Sequence, residues 1–242
     1  MMEPIETLLF DFGGTLDADG VAWKERFHTL YRAEGLDIAA DAFAPIFFAA
    51  DDPLVGSLSS TAGLSETITA LATNLEAELT RRGAGREDPG TVNEQTRGQR
   101  IASRFLSEAS AAFTRNRPIL EALKARYQLG IVSNFYGNLE AVCRSAAIAP
   151  LFGVMVDSQC VGAEKPDPAI FHVALETLHA TPETTIFVGD SLRRDREGAR
   201  RMGMRFIWIA PQNVQAAETP ASAEPPIHAT VTMLPDLMKI LR

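Results

Sequence analysis

Five short stretches of this chain gather residue types that act on anionic groups: Asp11-Phe12-Gly13-Gly14-Thr15, Ser133-Asn134, Lys165-Pro166, Gly189-Asp190 and, shortly after, Asp195. Carboxylates at 11, 190 and 195 offer hard oxygens to a cation, and Asp11 can also attack an electrophile to form a covalent adduct. Lys165 supplies a point charge and Ser133 a hydroxyl donor for the oxygens of a transferring group. Taken singly, each has a plain structural use. Asp11 and Asp190 can form turns, Ser133 can cap a helix, and Lys165 can sit in solvent before a proline. Only the joint pattern, with each stretch at the end of an apolar run or just beyond one, points to chemistry.

Those apolar runs predict the elements that must position the site. Residues 7–10 end at Asp11, 129–132 at Ser133, 153–156 at Asp157, 186–188 at Gly189-Asp190 and 206–209 at Ala210-Pro211. Between them lie helix-period segments, such as Ile170, Phe171, Ala174, Leu175 and Leu178. Strands alternating with helices predict an α/β fold with a parallel, doubly wound sheet, in which ligands bind beyond the carboxyl ends of the strands. Residues 228–233 predict a last strand, followed by a short helix.

Residues 17–115 read differently, with helical spacing and no strand: Trp23, Phe27, Leu30 and Tyr31 share one face, as do Leu64, Ile68, Leu71, Leu75 and Leu79, then Ile101, Phe105 and Ala109. The expected division is an α/β body of residues 1–16 and 116–242 carrying an inserted all-helical domain of residues 17–115. Within it, the polar, glycine-bearing segment 82–98 is expected to be a loop, as is 212–226 in the body. Trp23, Phe27, Phe47 and Phe48 are expected to be packing residues.

A formal charge of -8 argues against general affinity for nucleic acids or anionic membranes, so an anionic ligand must be held by local features. The acidic start lacks the basic flank of a signal peptide, and no run is long enough to span a bilayer. Cys143 and Cys160 match no redox or metal spacing and read as free thiols, which with the rest predicts a cytoplasmic location.

In order and in wording, the stretches resemble the four motifs of the haloacid dehalogenase superfamily, down to Glu164-Lys165-Pro166-Asp167-Pro168 and Asp195-Arg196-Glu197-Gly198-Ala199. The likeness covers about residues 5–16 and 116–210, and the insert matches that family's helical cap in position and length. The resemblance implies a magnesium-dependent hydrolase, above all a phosphatase of a small phosphorylated metabolite, working through an aspartyl-phosphate on Asp11. It assigns catalysis to Asp11, Ser133 and Lys165, and phosphate binding to Gly13, Gly14, Thr15, Ser133, Asn134 and Lys165. Magnesium would lie between Asp11, the backbone carbonyl of Gly13 and Asp190, with Asp195 behind them positioning Lys165 or a metal-bound water. Gly14 is expected to let the backbone approach a phosphate, and Thr15 to orient the loop.

One position departs from the pattern. In the family's ordinary phosphatases the residue two after the nucleophile is a second aspartate, which protonates the leaving alkoxide; here it is Gly13. Losing that acid costs about 100-fold to 10,000-fold in rate unless something replaces it. A leaving group that needs no proton, such as that of an acyl or aryl phosphate, removes the need. Asp17, Asp19 or Glu25 of the adjoining flap and cap are candidate substitutes, although each is expected to be a solvated surface carboxylate. Other chemistry is the third route. The family's 2-haloacid dehalogenases also lack the second aspartate but need no metal, whereas this chain keeps Gly189-Asp190. Its phosphonate hydrolases depend on a cap lysine, and the insert holds only Lys24, expected to be exposed. A non-catalytic regulatory role is the remaining alternative.

Overall fold

The computed structural model describes residues 4–84, 95–214 and 227–241. Its body is one six-stranded, wholly parallel sheet: β1 (Thr7–Phe10), β2 (Gln128–Ser133), β3 (Val154–Asp157), β4 (Thr185–Gly189), β5 (Arg205–Ile209) and β6 (Ala229–Val231), in the order β3-β2-β1-β4-β5-β6. β1 lies in the middle and is buried throughout, as a parallel strand covered on both faces must be. Leu8 and Phe10 face one packed layer, Leu9 the other. Phe10 pairs with Ile131 on one side and Val188 on the other, and this register brings Asp11, Ser133 and Asp190 to the same edge of the sheet.

Among the described residues, four α-helices lie between β1 and β2: α1 (Trp23–Ala33), α2 (Ala40–Asp51), α3 (Leu64–Arg81) and α4 (Arg97–Lys124). They form the cap. In α3 the residues Leu64, Ile68, Leu71, Leu75 and Leu79 recur at three- and four-residue spacing and are all buried. α4 starts earlier than expected. Thr96 caps it, accepting from the amide of Gln99, whose side chain accepts from the amide of Thr96 in return. Arg97, expected in a loop, is buried and paired with Glu76 of α3 through two hydrogen bonds. The expected boundary between residues 115 and 116 falls inside this one continuous helix. Residues 85–94 and 215–226 of the two expected loops lie outside the described residues.

The other helices of the body are α5 (Leu139–Ser145), α6 (Ser158–Val161), α7 (Pro168–Leu178) and α8 (Glu197–Met202), with a π-helical turn at Leu192–Arg196 and a short helix at Leu237–Ile240. Among the described residues no helix is long and apolar enough to cross a membrane. Cys143 is buried, Cys160 is exposed, and both are free thiols.

Candidate functional site

Asp11 leaves the end of β1 and meets Ser133 at the end of β2, Asp190 just after β4, Lys165 in the loop before α7 and Asp195 in the π-helical turn. Ser133, the last residue of β2, donates from Oγ to Asp11 Oδ1 at 2.9 Å. Lys165 Nζ donates to the same oxygen at 2.6 Å and to Asp195 Oδ1 at 2.7 Å. Asp195 is fixed in turn, its Oδ2 accepting from the Ser191 amide at 2.9 Å. Thr15 Oγ1 donates to Asp190 Oδ1 at 3.3 Å, and Trp208 Nε1 donates to the Asp190 carbonyl at 2.9 Å.

Oxygens of Asp11, Asp190 and Asp195 lie within 4.8 Å of one another. Three carboxylates so close are costly without compensating charge. Burial, then the charges of Asp11 and Asp195, push the Asp190 carboxyl well above its ordinary range, against the opposing pull of Arg194 and Lys165. Burial likewise raises Asp195, opposed by Lys165. For Lys165, burial works to neutralise the amine, but Asp11 and Asp195 overcome it and hold the ammonium above its usual value. Three carboxylates gathered around one ammonium bring hard oxygens together, a donor set that fits a magnesium ion. Asp195 belongs to this group directly as well as gripping Lys165.

Raised carboxyls also fix how stability depends on pH. A folded-state value above the unfolded one stabilises the fold below the unfolded value, and that benefit is lost as pH rises through the folded value. Protons and magnesium should therefore substitute for each other. Saturating magnesium, at about 100 times its dissociation constant, should stabilise the protein by about 2.7 kcal/mol. In thermal unfolding the gain should be larger at pH 8 than at pH 5; an equal shift at both would mean that the ion binds elsewhere.

Two expected phosphate-binding residues have visible structural tasks. Both ends of the Asn134 amide are engaged by the backbone of Lys165, its Oδ1 accepting from the Lys165 amide at 2.7 Å and its Nδ2 donating to the Lys165 carbonyl at 3.1 Å. Gly14 has φ +90, and a Cβ there would lie 2.6 Å from Asp190 Oδ2. The close approach that requires glycine is that of the Asp190 carboxylate.

Of the expected substitute acids, Asp17 needs correction, while Asp19 and Glu25 lie at the surface as expected. Asp17 is buried rather than solvated, and it accepts from the Gly14 amide at 2.7 Å, Trp23 Nε1 at 2.8 Å and Arg26 Nη1 at 2.7 Å. Burial raises its pKa, opposed first by Arg26. It ties the loop after β1 to α1, and the Arg26 guanidinium, 3.6 Å from the Phe105 ring centre, carries the link on to α4. Asp17→Ala should cost about 3 kcal/mol or more in urea unfolding, because it takes the nearest countercharge from a buried arginine and leaves only Glu108, at 3.9 Å; a loss under 1 kcal/mol would show that the link is dispensable. Asp19 pairs with Arg115 at 2.6 Å and Glu25 with Lys24 at 3.1 Å, both at the surface. Lys24 is half-exposed. Of the cap aromatics, Trp23, Phe27 and Phe47 are buried, whereas Phe48 is exposed, meeting Phe47 edge-on at 5.8 Å between ring centres with Lys24 over its ring.

Three neighbours went unread in the sequence. Arg194, in a run of arginines that looks like a solvated surface, feels Asp195, Asp11, Asp190 and the cap residue Asp51, and these override burial to hold its guanidinium above its usual value. Asp51 accepts from the Tyr136 hydroxyl at 2.5 Å and is pushed up to about 6 by burial, opposed by that bond. No local pattern marks such a pair, since α2 and the loop after β2 meet only in the fold.

Comparison with known proteins decides the family. The family described as haloacid dehalogenase-like hydrolase matches residues 5–203. The chain belongs to it. This haloacid dehalogenase-like hydrolase is 37% identical to the bovine (Bos taurus) haloacid dehalogenase-like hydrolase domain-containing protein 3 over 87 residues, 36% of this chain and 35% of that protein. It is 30% identical to a glyceraldehyde 3-phosphate phosphatase of Pyrococcus furiosus over 139 residues, 57% of this chain and 55% of that one. The matches thus span between a third and about half the length of these relatives. In fold it is similar to the magnesium-bound HAD-hydrolase YfnB of Bacillus subtilis, with a TM-score of 0.57 and 18% identity over 99% of this chain and 100% of that one.

Proposed function

We propose that this hydrolase is a magnesium-dependent phosphatase of a small phosphorylated metabolite, with Asp11 as the nucleophile. The observation that carries the reading is the double clamp on Asp11 Oδ1 by Ser133 and Lys165, beside two further carboxylates. The clamp fixes the carboxylate in one orientation at the strand end, and orientation is a large part of what such a site contributes. Lys165 offsets the charge of both the nucleophile and an incoming phosphoryl group, and Ser133 offers a donor at the same place. Asp195 and Asn134 hold Lys165 by its two ends, side chain and backbone. Asp11, Asp190 and Asp195, with the Gly13 carbonyl as a further oxygen, are the residues that would hold magnesium. When bound, the ion supplies positive charge that lets an anionic nucleophile approach an anionic substrate.

Residues 1–16 and 116–242 would form the catalytic body and 17–115 the cap, with α4 shared between them and the cap limiting access of water. The relatives that act as phosphatases support this reading. The phosphonate alternative is disfavoured by Lys24, which is half-exposed and paired with Glu25. The test is release of inorganic phosphate from acetyl phosphate and 4-nitrophenyl phosphate with magnesium and with EDTA, alongside halide release from 2-chloropropionate. Magnesium-dependent phosphate release is expected. EDTA-resistant halide release without phosphate release would overturn the proposal in favour of dehalogenation.

A further inference from the structure

We infer that this enzyme acts on phosphoryl donors whose leaving group departs without a proton, acyl phosphates above all, because the indole of Trp23 fills the space beside Gly13 from which an acid would reach that group. The inference rests on the phosphatase reading and narrows it to a substrate class.

A Cβ built on Gly13 would lie 3.1 Å from Trp23 Nε1, 3.4 Å from Cδ1 and 3.5 Å from Cε2. Such a Cβ already crowds the ring, so a side chain at this position meets the indole first. The indole is held in this place from several sides: Phe105 and Phe135 pack against it at 5.5 and 5.7 Å between ring centres, both nearly perpendicular, and Tyr136 lies at 6.2 Å. Its one polar hydrogen is committed to Asp17 at 2.8 Å, and Asp17 is itself occupied by Gly14 and Arg26. Trp23 therefore presents a ring and no available proton. Among the other described residues at the site, Ser133 and Lys165 direct their donors at Asp11 itself. The change at Gly13 is thus part of a packed arrangement in which a bulky apolar group replaces an acid.

The chemistry follows from atom balance. An oxygen of Asp11 bonds to phosphorus as the phosphorus–oxygen bond to the leaving group breaks, and the electron pair departs on that oxygen. From an alkyl phosphate this produces an alkoxide, the conjugate base of an acid about as weak as water, which must be protonated. From an acyl phosphate it produces a carboxylate, whose acid has a pKa of about 4, and no proton is needed. Water then cleaves the aspartyl-phosphate, its oxygen and both hydrogens leaving in dihydrogen phosphate while Asp11 returns as the carboxylate.

The experiment is a leaving-group series with magnesium: kcat/KM for acetyl phosphate, 4-nitrophenyl phosphate, phenyl phosphate and glycerol 3-phosphate. Acetyl phosphate should exceed glycerol 3-phosphate by about 100-fold or more, the span an absent general acid leaves uncorrected. Rates within tenfold of each other would overturn the inference while leaving the phosphatase reading intact, whereas no turnover of any phosphate would remove both. Gly13→Asp alone should not help glycerol 3-phosphate, and Gly13→Asp with Trp23→Ala should raise it at least tenfold. A tenfold gain from Gly13→Asp alone would overturn the role of Trp23. If the double variant does not fold, the wild-type series decides. Asp51→Asn, which tests the nearby cap carboxylate as a hidden acid, should change both extremes of the series by the same factor; a selective loss of alkyl turnover would overturn the inference.

Discussion

Asp11→Asn should lower phosphate turnover by about 10,000-fold or more, the scale at which removing a covalent nucleophile acts, and should leave the protein folded. The replacement keeps the shape of the side chain, and its amide oxygen can still accept from Ser133 Oγ and Lys165 Nζ, which now sit 2.9 and 2.6 Å from Oδ1. What disappears is the charge and the nucleophilic oxygen. Since the charge of Asp11 is the second cause, after burial, holding Asp190 well above its ordinary range, the metal-free variant should be at least as stable as the wild type at neutral pH. Steady-state phosphate release and urea unfolding measure the two halves. Activity within tenfold of wild type would mean that the nucleophile lies elsewhere, and unfolding of the variant would mean that Asp11 is a structural pair for Lys165 before it is anything else.

The parts of this site that can be read along the chain are those placed by strand ends. β1 is a four-residue apolar run that stops at a carboxylate, and parallel pairing in register carries the ends of β2 and β4 to the same edge. Asp11, Ser133 and Asp190 are legible for that reason. Lys165 lies in a loop and Asp195 in the π-helical turn, and both are legible only through the resemblance of their neighbourhoods to a family's motifs. The burial of Asp17 is not legible, because average solvation of carboxylates says nothing about a particular one. Its burial depends on Trp23 and Arg26, which reach it only once α1 has turned back over the loop after β1. The beginning of α4 was missed for a related reason: Arg97 looks polar in sequence, but Glu76 on a neighbouring helix pairs with it and allows it to be buried.

Gly13 shows the same limit from the other side. As a residue type it says only that an acid is missing, and a missing acid is compatible with lost activity. In the fold, a caged tryptophan lies beside Gly13, and the surrounding carboxylates and lysine keep the arrangement that the proposed phosphoryl transfer requires. A site that had merely decayed would have no reason to keep Lys165, Asp195 and Asn134 locked together, since buried charges are retained at a cost.

Lys165→Met puts a magnitude on that cost. The ammonium is buried and is the shared partner of Asp11 and Asp195. Methionine preserves much of the apolar stem but leaves two buried carboxylates short of a countercharge, which should cost about 3–5 kcal/mol at neutral pH. The sign of its pH dependence follows from the carboxyls. Burial already raises Asp190 and Asp195, and Lys165 opposes the rise in both, so its removal lets them climb further. Their protonated forms then stabilise the fold at low pH, and this contribution is lost as pH rises through the raised values. The stability deficit of the variant, measured by urea unfolding, should therefore be smallest near pH 5 and grow towards pH 8. Magnesium should recover part of it, because the ion supplies positive charge to the same oxygens. Turnover should not recover with it and should stay about 100-fold to 1,000-fold down, since the charge that faces the transferring group has gone. A deficit independent of pH and of magnesium would show that Lys165 contributes through its stem alone, and the electrostatic account of this site would then be wrong.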